Sequence, residues 1–264
     1  MEWPSLLLGT IVLRPYVFVF LAVYLTIAIL NMGVIRSIVF TILAYTIAFI
    51  SEYSSTRTGF PYGFYEYIET TREQELWISN VPFMDSLSYS FLAYVAYTMA
   101  LFLWSPLKIN RWDIRLNDSK RVRNSLRVIF SGAIFFMLMD VIIDPVAFQG
   151  DRWFLGKIYT YKEQGEYFNI PLTNFFGWLL VGICILYIFS RMDGYLDRIS
   201  SRKEQDLYAQ ALLGPALYFG VLLFNLAVTF YIGEWALGAC GLSLTFMLIW
   251  LLYQKIRNPK KFAL

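Results

Sequence analysis

Histidine is absent from this sequence of 264 residues. That gap removes His-ligated zinc, di-iron and haem sites, and every Ser-His or Cys-His nucleophile in its usual form. Cysteine is nearly absent as well. Cys184 and Cys240 both fall within apolar runs, where a thiol acts as a small hydrophobe rather than as half of a disulfide or a metal ligand. Charge is scarce: 16% of residues are charged and 58% hydrophobic, against roughly 45–50% apolar in a soluble domain, so lipid is the expected solvent. Low-complexity tracts and internal repeats are also missing, and residues 1–264 read as a single integral membrane domain.

What is present is a series of apolar stretches bounded by charges or proline, each close to the roughly 20 residues that cross a bilayer. Seven are found, over residues 15–32, 35–51, 82–104, 126–143, 172–189, 211–230 and 237–253. Arg14 before the first run imitates a signal peptide, but no small-residue cleavage pattern follows, so it is read as a permanent helix. The fold class expected is therefore all-α, a polytopic transmembrane bundle of about seven helices. Two substantial loops, 54–81 and 145–171, share one side and are rich in Tyr, Phe, Trp and Gly. Such a composition suits segments at the headgroups or folded back over the bundle, and an aromatic belt accounts for most of these rings.

Basic residues mark the other side. The third-to-fourth connection carries Lys108, Arg111, Arg115, Lys120, Arg121, Arg123 and Arg127; the fifth-to-sixth carries Arg191, Arg198, Arg202 and Lys203; the tail carries Lys255, Arg257, Lys260 and Lys261. Short Lys/Arg-rich loops stay cytoplasmic, so the C-terminus is expected inside, the N-terminus outside, and the chain in a cell membrane, the plasma membrane by default. The net charge of +3 is then an orientation signal, and nothing supports a nucleic-acid partner.

Ionisable groups within a bilayer each need a partner, a wet cavity or a function. Four acids stand out. Glu52 ends the second run, Asp85 lies one turn into the third, and Asp140 and Asp144 occupy the last turn of the fourth. Helix alternation brings all four to the same end. Asp140 and Asp144 are four apart and share a helix face, and Pro145 is expected to end that helix. The fifth run starts at Pro171 on the same level and presents Thr173, Asn174 and Trp178 in its first turns. Arg57 and Arg152, in the adjoining loops, are candidates to pair with the acids. For a terminal acid, contact with water or a capping role is as good a reading as catalysis, and for Asp85 the helix dipole alone suffices. Asp140, a full turn inside the apolar run, is the strongest single candidate.

The residues that carry a resemblance are Glu52 followed by Thr58-Gly59-Phe60-Pro61-Tyr62-Gly63-Phe64-Tyr65, then Asp140-x-x-x-Asp144-Pro145, then Pro171-Leu172-x-Asn174-x-x-Gly177-Trp178. Their order and spacing, over roughly residues 51–182, resemble the carotenoid biosynthesis membrane proteins that include γ-carotene 1'-hydratase and bisanhydrobacterioruberin hydratase. The resemblance implies addition of water to the C1'=C2' double bond at an acyclic carotenoid end, without metal, redox cofactor or oxygen. It further implies that Asp140 or Asp144 donates the proton, that the other of the pair or Glu52 holds the water, and that Asn174 orients one of them. Tyr62, Tyr65 and Trp178 would line the end-group pocket, with Asp85 and Arg57 as further substrate contacts. Besides membrane lipids, the implied partner is a carotenoid or similar polyene; the oligomeric state is left open. Three rivals remain: a terpenoid-lipid isomerase or cyclase begun by the same protonation, a transporter that uses the carboxylates as a relay, and, ranked last, a seven-helix receptor or retinal protein, since Lys255 is expected beyond the membrane end of the last run.

Overall fold

The computed structural model describes residues 3–200, 206–260 and 262–263. Arg202, Lys203 and Lys261 lie outside the described residues. A short apolar helix, α1 (Trp3–Leu13), leads through Arg14 into α2 (Pro15–Met32), which turns at the single residue Gly33 into α3 (Val34–Thr58). Gly33 has φ +83°, a conformation that only glycine adopts freely, so two long helices reverse direction within one residue. A loop with strands β1 (Tyr65–Tyr67), β2 (Trp77–Ile78) and β3 (Val81–Pro82) precedes α4 (Phe83–Trp104). At the opposite end a hairpin of β4 (Leu107–Asn110) and β5 (Asp113–Leu116), with the single-turn α5 (Lys120–Arg123), leads to α6 (Leu126–Phe148). Strand β6 (Tyr159–Tyr161) then precedes α7 (Leu172–Ile199), and α8 (Leu213–Tyr231) and α9 (Trp235–Arg257) complete the chain.

Seven helices, α2, α3, α4, α6, α7, α8 and α9, are long and apolar enough to cross a membrane, and the chain is an all-α, multi-pass membrane protein. Helix α4 stands at the centre. In its most apolar window 94% of the residues are buried within the protein, against 28% for α2 and α3, and its mean hydropathy of 1.4 is the lowest of the seven. The two facts have one cause. A helix surrounded by protein rather than lipid can carry Ser86, Ser90 and Tyr94, because neighbouring helices supply their partners, Glu52 and Thr41 O on α3 and Asn31 on α2.

The expected helix count holds, while several helix ends run beyond their apolar runs. Helix α3 continues to Thr58 and stops at Gly59, whose φ of +79° lets its N–H bond back to Ser55 O. Helix α6 does not end at Pro145 but continues to Phe148. Proline lacks only the N–H that would reach Val141 O, and one missing bond near a helix terminus leaves the next turn able to form. Helix α9 reaches Arg257, so Lys255 belongs to its last turn; the side chain is buried and donates to Pro259 O. Hydropathy reports contact with lipid, whereas these ends are set by hydrogen bonding.

The two aromatic loops fold back over one end of the bundle. Strands β1 and β6 pair antiparallel, with Tyr65 opposite Tyr161 and Tyr67 opposite Tyr159. A buried ion pair anchors this roof: Arg14 Nη2 lies 3.2 Å from Glu75 Oε1, both side chains are 1% exposed, and Arg14 also donates to Leu155 O. It thereby ties the α1–α2 junction to both loops. The other end is held by a second ionic cluster, in which Arg36 reaches Asp193 and Asp197 and Arg123 reaches Asp193 and Asp118.

Removing one partner of a buried ion pair strands the other, at a cost of about 3–5 kcal/mol, while replacing both with apolar residues is close to neutral. Arg14→Met is therefore expected to lower the unfolding midpoint in detergent markedly, and Arg14→Met/Glu75→Leu to recover most of the loss. A double variant no more stable than the single one would contradict this account of the roof.

Candidate active site

The chain's most acidic interior lies directly beneath the roof. Glu52 comes from the last two turns of α3, Asp85 from the first turn of α4, and Asp140 and Asp144 from the last turns of α6; all four border one cavity of about 100 Å³. Among the described residues none of the four takes part in an ion pair, so neutral donors must satisfy them. Glu52, buried in the bundle, accepts from Tyr67 Oη at 3.2 Å and from Ser86 Oγ. Asn174, from the first turn of α7, stands between the α6 acids, its Nδ2 2.6 Å from Asp140 Oδ2 and 2.9 Å from Asp144 Oδ2.

The two α6 acids are unequally served. Asp144 also accepts from Tyr159 Oη at 2.5 Å and from Tyr161 Oη at 3.1 Å, so three donors converge on it. Asp140 receives Asn174 alone, and its Oδ1 is buried with no hydrogen-bond partner among the described residues. A buried oxygen without a partner is costly, and such groups concentrate where a substrate or water completes the bonding.

The phenols come from a pattern the sequence displays in the open. Tyr65-Glu66-Tyr67 and Tyr159-Thr160-Tyr161 are period-two segments, and pairing them antiparallel puts four tyrosines on one face of the ribbon. All four border the cavity, while Glu66 is exposed. These rings are therefore not an aromatic belt at the headgroups. Burial, with the neighbouring carboxylates adding to it, pushes Tyr65, Tyr67, Tyr159 and Tyr161 well above the ordinary phenol value, so each remains an O–H donor. Tyr67, Tyr159, Tyr161, Ser86 and Tyr89 were not singled out by sequence reading; the two Tyr-x-Tyr segments were the available signal for three of them.

Aromatic rings wall the remaining side. Tyr89 and Trp178 stack at 4.5 Å between centroids, Phe136 packs on the same indole at 4.6 Å, and Tyr62 lies 6.4 Å from it. Gly177 makes this wall possible. A Cβ there would lie 2.5 Å from Tyr62 Cδ1 and 2.8 Å from Pro61 O, so only glycine lets α7 approach the loop after α3.

Of the residues expected at the site, Glu52, Asp85, Asp140, Asp144, Asn174, Tyr62, Tyr65 and Trp178 all border this cavity. Arg57 does not. It is exposed, donates to Asn80 Oδ1 at 2.7 Å and lies over the Tyr53 ring, on the far side of α3's last turn from the acids. Arg152, the other expected partner of the acids, donates instead to Glu234 and Ile232 O. A guanidinium at either place finds exposed acceptors closer than the buried carboxylates.

A family model described as "Carotenoid biosynthesis protein" matches residues 5–249 of the chain. No curated protein and no solved structure matches it.

Phenols held protonated by the folded state stabilise it below the ordinary phenol value of 10.0, and that stability is lost as pH rises above it, since the unfolded chain then releases protons the folded one keeps. Unfolding is expected to become easier above about pH 10. The Tyr159→Phe/Tyr161→Phe variant should show a shallower alkaline decline in its unfolding midpoint. An unchanged slope would mean these phenols titrate normally.

Proposed function

The chain belongs to the carotenoid biosynthesis protein family, and on that premise we propose that it hydrates the terminal C1'=C2' double bond of an acyclic carotenoid end, giving a tertiary alcohol. The observation that carries this reading is the unequal bonding of two adjacent carboxyl groups. Asp144, with three donors, is suited to act as the ionised carboxylate, and Asp140, which borders the cavity and has one oxygen unbonded, is suited to carry a transferable proton. Adjacent carboxyls in different surroundings are the usual arrangement for an acid and a base within one site.

The reaction then runs in two steps. Asp140 transfers its proton to C2', the π pair forms the new C–H bond, and C1' becomes a tertiary cation. The π faces of Tyr89 and Trp178, stacked at the cavity wall, stabilise that charge. A water held by Asp144 attacks C1', the C–O bond forms, and Asp144 takes the proton the water loses. Passage of that proton to Asp140, whose neighbour it is across Asn174, restores the starting state. Alkene plus water equals alcohol, with no net change in the protein. Glu52, fixed by Tyr67 and Ser86, borders the same cavity and limits where the end group can sit.

A cavity inside a membrane bundle suits a substrate dissolved in lipid. The Lys/Arg-rich connections lie at the opposite end, which by the positive-inside rule puts this cavity toward the extracytoplasmic face, where water can reach it.

Expression in a host that accumulates lycopene and γ-carotene is expected to yield products heavier by one water, their new oxygen labelled when growth medium contains H₂¹⁸O. Asp140→Asn should lower product formation by about a hundred- to ten-thousand-fold, the range for loss of a general acid. Products of unchanged mass that also disappear in Asp140→Asn would show the same acid initiating isomerisation or cyclisation, and unchanged pigments at normal membrane expression would overturn the reading for these substrates. Asn174→Leu leaves both acids in place but removes the group between them. Its expected effect is a loss of about 2 kcal/mol or more of transition-state stabilisation, from an unpaired buried acceptor, read as a fall in kcat with KM little changed.

A further inference from the structure

The acid cavity is small. At about 100 Å³ it admits a short branched hydrocarbon end and not a long chain. Any long substrate must therefore extend beyond it, and two further spaces adjoin it in series. A second chamber of about 90 Å³ shares Asp85, Ser88, Leu92, Ile143, Ala147 and Ile158 with the first. Beyond those residues its walls turn mainly apolar, made by Tyr16, Val17 and Phe20 of α2, Phe91 of α4, and Val221 and Phe224 of α8, with Asn225 donating its amide back to Val221 O. This chamber in turn shares Trp153 and Phe224 with an open groove of about 690 Å³ along the outer part of α8, past Ala227, Val228 and Tyr231.

The junction is built of flat rings. Phe224 stacks on Tyr16 at 5.4 Å and meets Phe20 at 5.7 Å and Trp153 at 6.3 Å. Around the groove Phe154 is 61% exposed, Tyr231 80% and Leu223 57%, an apolar surface facing the side where lipid would lie. The charges at its mouth are Asp151 and Arg152, and Arg152 is tied to Glu234 and Ile232 O.

We propose that the acid cavity, the α2–α4–α8 chamber and the α8 groove form a single lateral binding track, in which the end of an unsaturated isoprenoid chain reaches the acids while the rest passes Phe224 into the membrane. The proposal rests on the hydratase reading for what happens at the acids, but the track is a statement about binding. Three features select the occupant. The line runs from acidic to mainly apolar, with its outer charges confined to the groove mouth, which suits one hydrocarbon molecule with a reacting tip. Its junction is lined by ring faces, which complement a planar conjugated chain. Its outer opening is on the flank of the bundle, so such a molecule enters from the bilayer without crossing water. Ala147, half-buried and common to cavity and chamber, is the throat; Phe224, common to chamber and groove, is the gate.

The test reads binding and hydration separately. In a background with Cys184 and Cys240 replaced by Ala, a single cysteine is placed at the exposed Ala227 or, as a control, at the exposed Ile38 on α3. Labelling by a membrane-permeant maleimide is followed in proteoliposomes with and without lycopene, an acyclic polyene. Lycopene is expected to slow labelling of Ala227→Cys at least five-fold and to leave Ile38→Cys unchanged. Adding Ala147→Phe, which plugs the throat, should reduce that protection to less than two-fold. Equal protection at both positions, none at Ala227→Cys, protection that survives Ala147→Phe, or the same protection by the saturated chain squalane would each overturn the track. Protection at Ala227→Cys without any hydrated product from the parent protein would leave the track standing and remove the hydratase reading. Hydrated product without protection would do the reverse.

Discussion

Four carboxyl groups face one small cavity in a membrane bundle, and among the described residues none has an ion-pair partner. Everything at this end of the molecule answers that constraint. A cation would neutralise the acids but also hold them in fixed pairs, as Arg14 and Glu75 are held a short distance above. Neutral donors satisfy lone pairs without cancelling charge, which leaves the acids able to exchange protons. The amide and the hydroxyl come from α7 and α4, but the three phenols reach the acids from outside the helices. Hence the two loops pair as a ribbon and bend inward, since irregular backbone at membrane depth is tolerated where protein covers it.

The same constraint explains the composition of α4. A central helix with protein on all sides gives up hydropathy in exchange for side chains that bond sideways, and Ser86 is one of these, reaching Glu52 across the α3–α4 contact. Tyr89, one turn further on, turns a ring rather than a hydroxyl to the cavity wall and stacks on Trp178 of α7. Polar and aromatic functions thus alternate along one helix. Gly177 performs the complementary service on α7, admitting the Pro61–Tyr62 loop so closely that roof and bundle share one wall.

On the proposed reading, the cavity divides labour by polarity. Its deep side has the acids and their donors, a place for a proton and a water. Past Ala147 the lining is mainly hydrocarbon and ring faces out to α8. Chemistry on an apolar molecule needs such a gradient, because water must reach one bond and be kept from the rest, and a cation formed near excess water or a second nucleophile would be lost to side reactions.

From the sequence alone the seven apolar crossings were legible, because the bilayer imposes a length and a composition that no soluble fold needs. So was the gathering of Glu52, Asp85, Asp140 and Asp144 at one end, which follows from helix alternation, and the approach of Asn174, which follows from where Pro171 starts a helix. Which donor serves which acid was not legible. Tyr67, Tyr159 and Tyr161 lie in loops whose aromatic content reads equally well as a headgroup belt, and only the pairing of β1 with β6, residues nearly a hundred positions apart, turns their rings inward. Arg57 and Arg152 looked like partners for the acids by proximity in the chain, yet the tertiary structure gives them exposed acceptors and leaves the acids to neutral groups. The physical reason is common to these cases. Crossing a membrane is decided by local transfer energy, which a sequence carries residue by residue, whereas the bonding of a buried polar group depends on long-range contacts that exist only once the chain has folded.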